Sequence, residues 1–130
     1  MEKSNICFGV IIKSGGIYME IEEYKFGFIR INGEIYENDV MITPEGIKEW
    51  WRKESHMVYI EDLNDIMKYN PDMIIFGTGK SGRMYVTDDV KELLENKGII
   101  VKIAHTDSAK DIYNESFDKM KVCALLHLTC

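Results

Sequence analysis

The chain has 130 residues, of which 45% are hydrophobic and 29% charged, a composition that excludes a wholly disordered or collagen-like protein and fits one globular domain. Sixteen Lys/Arg against 22 Asp/Glu give a net charge of −6, with 7 basic and 13 acidic residues in positions 1–65 but 9 of each in 66–130. Such an acidic first half repels nucleic acid and anionic membranes, so neither is an expected partner, while the balanced second half leaves room for a local anion site.

In chain order, Ile6–Ile12 and Tyr18–Ile21 read as short strands around a Ser14-Gly15-Gly16 turn. Lys25–Ile31 and Glu34–Ile42 flank Asn32-Gly33, a pair that accepts positive φ at both central positions of a type I′ hairpin. Phe26, Phe28 and Arg30 fall on one side of that run, Ile29 and Ile31 on the other, as in a sheet with one buried face. Pro44-Glu45-Gly46 is a turn, followed by Ile47–Arg52 and a short Met57–Ile60 run. Asp62 opens a helix with Leu63, Ile66 and Met67 inward, and Asn70-Pro71 ends it because proline disfavours helical geometry in the residue before it.

The pattern then changes. Met73–Phe76 is an unbroken apolar run closed by Gly77, the signature of a strand covered on both faces. Thr87 caps a helix with Val90, Leu93 and Leu94 inward, and Gly98 sits where a left-handed C-cap is wanted. Ile99–Ala104 reads as a second buried strand. Thr106 caps a further helix bearing Ala109, Ile112, Tyr113 and Phe117 on one stripe, and Val122–Leu128 is a last strand. The alternation of strands and helices predicts an α/β layer with right-handed crossovers and its three strands parallel. One core is expected, arranged as N-terminal strands (1–23), a β-hairpin module (24–60) and the α/β layer (61–130).

Three cysteines, Cys7, Cys123 and Cys130, make neither an even framework nor a C-x-x-C pair, which favours a reducing compartment. The Ile6–Ile12 run is far short of the roughly 18 residues that span a bilayer. Glu2-Lys3-Ser4-Asn5 before it lacks the basic character of a secretion signal. A cytoplasmic location is expected.

Several short segments together carry a family resemblance. They are Tyr24-Lys25-Phe26-Gly27 with the Asn32-Gly33 hairpin, Trp50-Trp51-Arg52 with His56, Gly77-Thr78-Gly79, then Thr106, Ala109 and Tyr113-Asn114, and the ending His127-Leu128-Thr129-Cys130. In their order and spacing the chain resembles the adipogenesis-associated Mth-domain family, a domain of unknown function, over residues 20–130. The resemblance implies a three-layer α/β fold with a mixed central sheet, one strand running against the others, and an extra β module. Relatives in that family include an adipogenesis-linked cytoplasmic protein and mitochondrial assembly factors for respiratory complex I. It supplies no reaction and no catalytic residue.

The candidate sites are few. Gly77-Thr78-Gly79-Lys80-Ser81-Gly82 matches G-x-G-x-x-G directly after a buried strand, where glycines let backbone N–H groups approach a phosphate. Against a dinucleotide, the clear helix start is Thr87, too late for a pyrophosphate to rest on it, and Asp88 and Asp89 in the first turn repel one. Gly79-Lys80-Ser81 also lacks the preceding glycine of a P-loop, since Ile74 stands in its place. What remains is a small anionic or polar ligand beyond the carboxyl ends of the strands, held by Gly77, Thr78, Gly79, Lys80, Ser81, Arg83, His105 and Thr106. Trp50, Trp51 and Arg52 point to a protein interface, because Trp and Arg dominate binding hot spots. On an extended segment adjacent side chains face opposite ways, so one Trp plugs the core and the other covers surface. Cys123 and His127 lie about 13 Å apart along a strand, too far for one tetrahedral metal. No metal, cofactor or catalytic residue is expected. The expected role is an interaction or assembly-type scaffold that binds a protein partner or a second copy of itself; the alternative is an enzyme or small-ligand binder using Gly77–Arg83.

Overall fold

A computed structural model describes residues 19–130 throughout and, before them, the paired strands β1 (Ile12–Lys13) and β2 (Gly16–Ile17). The rest of the Ile6–Ile12 run, Ser14-Gly15 and Tyr18 lie outside the described residues.

Strands β3 (Ile21–Lys25), β4 (Phe28–Ile31) and β5 (Glu34–Tyr36) form an antiparallel sheet. Asn32 (φ 50°) and Gly33 (φ 88°) make the turn that Asn-Gly predicts. The run Lys25–Ile31 is not one strand, however. Gly27 turns at φ 87°, so Lys25 pairs with Phe28 and the apolar run belongs to two strands. Phe26 and Phe28 continue the alternation across that turn, which hides it from periodicity. Glu34–Ile42 is likewise divided: β5 stays in this sheet, whereas β6 (Val40–Thr43) enters a second one.

A turn at Pro44-Glu45 joins β6 to β7 (Gly46–Glu49). After β8 (Met57–Val58) the expected helix opens as a 3-10 turn, Ile60–Leu63, before α1 (Asn64–Met67). Asp62 supports that turn by accepting the Tyr59 N–H at 2.8 Å. Then come β9 (Met73–Gly77), β10 (Tyr85–Val86), α2 (Asp88–Asn96), β11 (Ile100–Ala104), α3 (Thr106–Ser116) and β12 (Val122–Leu126).

The central sheet has the order β11-β9-β12-β6-β7. Strands β11, β9 and β12 are parallel, β6 is antiparallel to β12, and β7 is antiparallel to β6. One strand, β6, therefore runs against the other four, giving the mixed sheet that the resemblance implies. One face of this sheet packs Val40, Ile42, Ile75 and Ala124 against Ile29 and Ile31 of the three-stranded sheet and Ala109 and Tyr113 of α3. The other face packs Ile74, Phe76 and Leu125 against Leu63, Ile66, Val90 and Leu94. Each fully buried side chain of this kind contributes about 1.5–3 kcal/mol.

The sequence expectation for Ile99–Ala104 needs correction. Strand β11 lies at the sheet edge, paired with β9 alone, so Ile100 (45% exposed) and Ile103 (41%) face solvent. An apolar run shows affinity for a core but not whether a second neighbour covers it.

Candidate functional site

Parallel pairing sets Gly77 of β9 beside Ala104 of β11 and Leu126 of β12, so three chain segments leave the same sheet edge together. Backbone groups tie those segments to one another. Thr78 N–H donates to the Ala104 carbonyl (2.8 Å), Lys80 N–H to Thr129 (2.7 Å), Arg83 N–H to Cys130 (2.9 Å), and His127 N–H to Gly77 (2.9 Å). Thr106 links two of them: its hydroxyl donates to the His127 carbonyl at 2.7 Å and accepts the Gly79 N–H at 2.8 Å. Gly79 adopts φ +104°, and a Cβ there would stand 2.5 Å from the Cys130 carbonyl carbon, so both its backbone angle and its space require glycine.

These bonds change the reading of the glycine-rich loop. The N–H groups of Thr78, Gly79, Lys80 and Arg83 face carbonyl or hydroxyl oxygens of the protein itself, which leaves them none to give a phosphate. Gly77, Thr78, Gly79 and Thr106 are interior scaffolding, whereas Lys80, Ser81, Arg83 and His105 lie exposed. Lys80 Nζ pairs with Asp107 at 3.1 Å, and His105 covers the spot where a Gly82 Cβ would be, 2.5 Å from its Nε2. Thr106 is no helix cap; His105 holds that position without a side-chain bond, because the Thr106 hydroxyl is spent on the neighbouring segments.

The two tryptophans separate. Trp50 is buried, with its Nε1–H 3.3 Å from the Asp62 carbonyl, and Trp51 is 77% exposed. Arg52 stacks on the buried ring, its Cζ 4.3 Å from the Trp50 centroid, and not on the exposed one.

That buried guanidinium belongs to a polar centre which sequence reasoning did not assemble. Asp39, at the entry to β6, accepts from Arg52 Nη2 (2.7 Å), His127 Nδ1 (2.8 Å) and the Leu128 N–H (2.8 Å). Arg52 Nη2 also donates to the Ser55 carbonyl at 2.6 Å. The Arg52 and His127 side chains are only 3% and 4% exposed, and Asp39 17%. Burial raises the Asp39 carboxyl, but the bonds from His127, the Leu128 N–H and Arg52 outweigh it and hold the group below its ordinary value. Thr129 Oγ1 lies 3.4 Å from His127 Nε2, and the His56 ring meets that of His127 edge-on at 5.3 Å. Partial desolvation first, then the neighbouring Arg83 and Arg52 guanidiniums, push His56 down. Tyr24 completes the neighbourhood, donating its hydroxyl to the Leu128 carbonyl at 2.9 Å; its burial, with Asp107 nearby, pushes the phenol up to about 12.

Asp39 carries no sequence signal: it lies 13 residues from Arg52 and 88 from His127. The other members, Tyr24, Arg52, His56, Gly79, Thr106, His127 and Thr129, belong to the short segments that carry the family resemblance. No group of three or more potential metal ligands occurs among the described residues.

Similar proteins place this architecture. The model of a family of proteins of unknown function, DUF498/DUF598, matches residues 21–127. A conserved hypothetical protein, PH1505 from Pyrococcus horikoshii OT3, is 28% identical, with a TM-score of 0.79 over 85% of this chain and 99% of that one. An outer membrane protein from Bartonella henselae (20% identity, TM-score 0.74, 89% of this chain and 98% of that) shares the fold. So does a Mth938-like domain protein from Bordetella pertussis (15% identity, TM-score 0.62, 95% and 92%). The chain thus belongs to the DUF498/DUF598 family of proteins of unknown function and has the fold of a Mth938-like domain.

Proposed function

We propose that this domain is a cytoplasmic interaction module, and that it docks a basic segment of a partner protein through an apolar anchor laid on Trp51. The observation that carries this reading is the exposure of Trp51, 77%, directly beside its buried neighbour Trp50. An indole left in water is apolar surface that a partner can cover. Trp51 lines a groove of about 340 Å³ whose charged members are Glu49, Glu61, Asp62 and Asp65 against Lys53 alone. Four carboxylates around one aromatic favour Lys or Arg on the incoming segment and speed its encounter. The internal bonding of the Gly77–Arg83 loop supports this role over a phosphate-cradling enzyme.

Peptides of equal length carrying one Phe or Leu, with either Lys/Arg or Asp/Glu around it, test the reading through Trp fluorescence. The basic set is expected to bind saturably, to weaken with added salt, and to lose affinity about tenfold for Trp51→Ala. Equal binding of both sets, or binding indifferent to Trp51→Ala, refutes it. A stable homodimer by light scattering that shields Trp51 refutes it as well, since the groove is then occupied by a second copy.

A further inference from the structure

The polar centre has donors left over. Among the described residues, Arg52 Nε and Nη1 are buried and have no hydrogen-bond partner. A buried guanidinium with unmet N–H groups loses solvation without replacement, a cost that folded proteins avoid unless water or an ion completes the set. Asp39 is already engaged elsewhere and bonds to neither nitrogen. Its Oδ2 already takes Arg52 Nη2 and His127 Nδ1, and its Oδ1 takes the Leu128 N–H.

Positive charge is also left over. Arg83 makes no ion pair among the described residues. The Tyr85 N–H bond to the His56 carbonyl, 2.9 Å, and the parallel pairing of β8 with β10 carry the Arg83 segment to His56. The fixed positive charges near His56 are therefore those of Arg52 and Arg83, with Asp39 the acid beside them and the His127 ring 5.3 Å away. Arg52 and His127 are buried, His56 is half-buried and Arg83 is exposed.

We infer that Arg52, His56 and Arg83 together bind a small oxyanion of the phosphate class. Several oxygens on one centre can accept from donors arriving on separate chain segments, and a formal negative charge meets the excess positive one. This site takes from the glycine-rich loop only the Arg83 side chain, since the Thr78, Gly79, Lys80 and Arg83 N–H groups are already spent, and it is distinct from the Trp51 groove.

The test titrates inorganic phosphate into the protein at constant ionic strength, with chloride and acetate as parallel arms, while NMR follows the His56 Hε1 and Arg52 Nε–H signals. Phosphate is expected to shift both signals saturably and at lower concentration than acetate, and to raise the pH at which His56 titrates. Arg83→Gln and His56→Ala alter residues that are not buried, so folded variants are expected, each binding about tenfold more weakly. Shifts that grow linearly and match chloride, or affinity unchanged in both variants, overturn the inference and leave Arg52 with a buried water only. Acetate equal to phosphate overturns the ligand class. None of these outcomes depends on peptide binding at Trp51.

Discussion

Asp39→Asn probes the polar centre most directly. The wild-type carboxylate accepts three hydrogen bonds, from Arg52, His127 and the Leu128 N–H, between 2.7 and 2.8 Å. Asparagine keeps the shape but removes the charge and turns one oxygen into a donor facing other donors. The Arg52 side chain, 3% exposed, then keeps its charge with no carboxylate to balance it, only neutral acceptors such as the Ser55 carbonyl. Breaking one partner of a buried pair costs about 3–5 kcal/mol. With a urea slope of about 2 kcal/mol/M, the midpoint should fall by about 1.5–2.5 M. The pH dependence gives a second readout. Asp39 titrates below its ordinary 3.8 in the fold, so its contribution is present above the unfolded value and disappears as pH falls through the folded one. The gap between wild type and variant is therefore full at neutral pH and closes on acidification below about pH 4. Urea melts of both proteins across that range decide the matter. A gap under about 1 kcal/mol at neutral pH, or one that persists unchanged into acid, refutes the assignment of Asp39 as the charge that balances Arg52.

Two further outcomes follow from the same bonding. Asn114 of α3 holds both backbone groups of Ile21, accepting its N–H at 2.9 Å and donating to its carbonyl at 2.7 Å; Asn114→Ala should cost about 1–3 kcal/mol and speed amide exchange at Ile21 while leaving β9 protected. Cys123 is fully buried and its thiol is pushed by burial up to about 12, so peptide mapping after iodoacetamide at mildly alkaline pH should find it unlabelled in the fold and labelled in urea.

Much of the architecture was legible because it depends on local pattern. Asn32-Gly33 specifies its turn through positive φ, and Met73–Phe76 announces a strand covered on both faces. Gly98, at φ 81°, ends α2 as its position predicts. The errors share one cause. Gly27 breaks a run whose alternation continues on both sides of it, and Ile100 and Ile103 look like core residues until the strand order places them at an edge. Thr106 has the composition of a helix cap, yet its hydroxyl is taken by Gly79 and His127, partners that no spacing rule connects to it. The glycine-rich loop has the spacing of a phosphate cradle, and no motif shows that its Thr78, Gly79 and Lys80 N–H groups meet oxygens of Ala104, Thr106 and Thr129.

From the residues alone came the class of fold, the hairpin, the buried central strand and the separation of Trp50 from Trp51, since each rests on turn residues or side-chain pattern within a few neighbours. Only the tertiary structure decided which side chains share charge. Asp39, Arg52 and His127 meet because β6 lies beside β12 and the loop after β7 folds back over their ends. Electrostatic partnership depends on distance through space, and sequence separation carries no record of it.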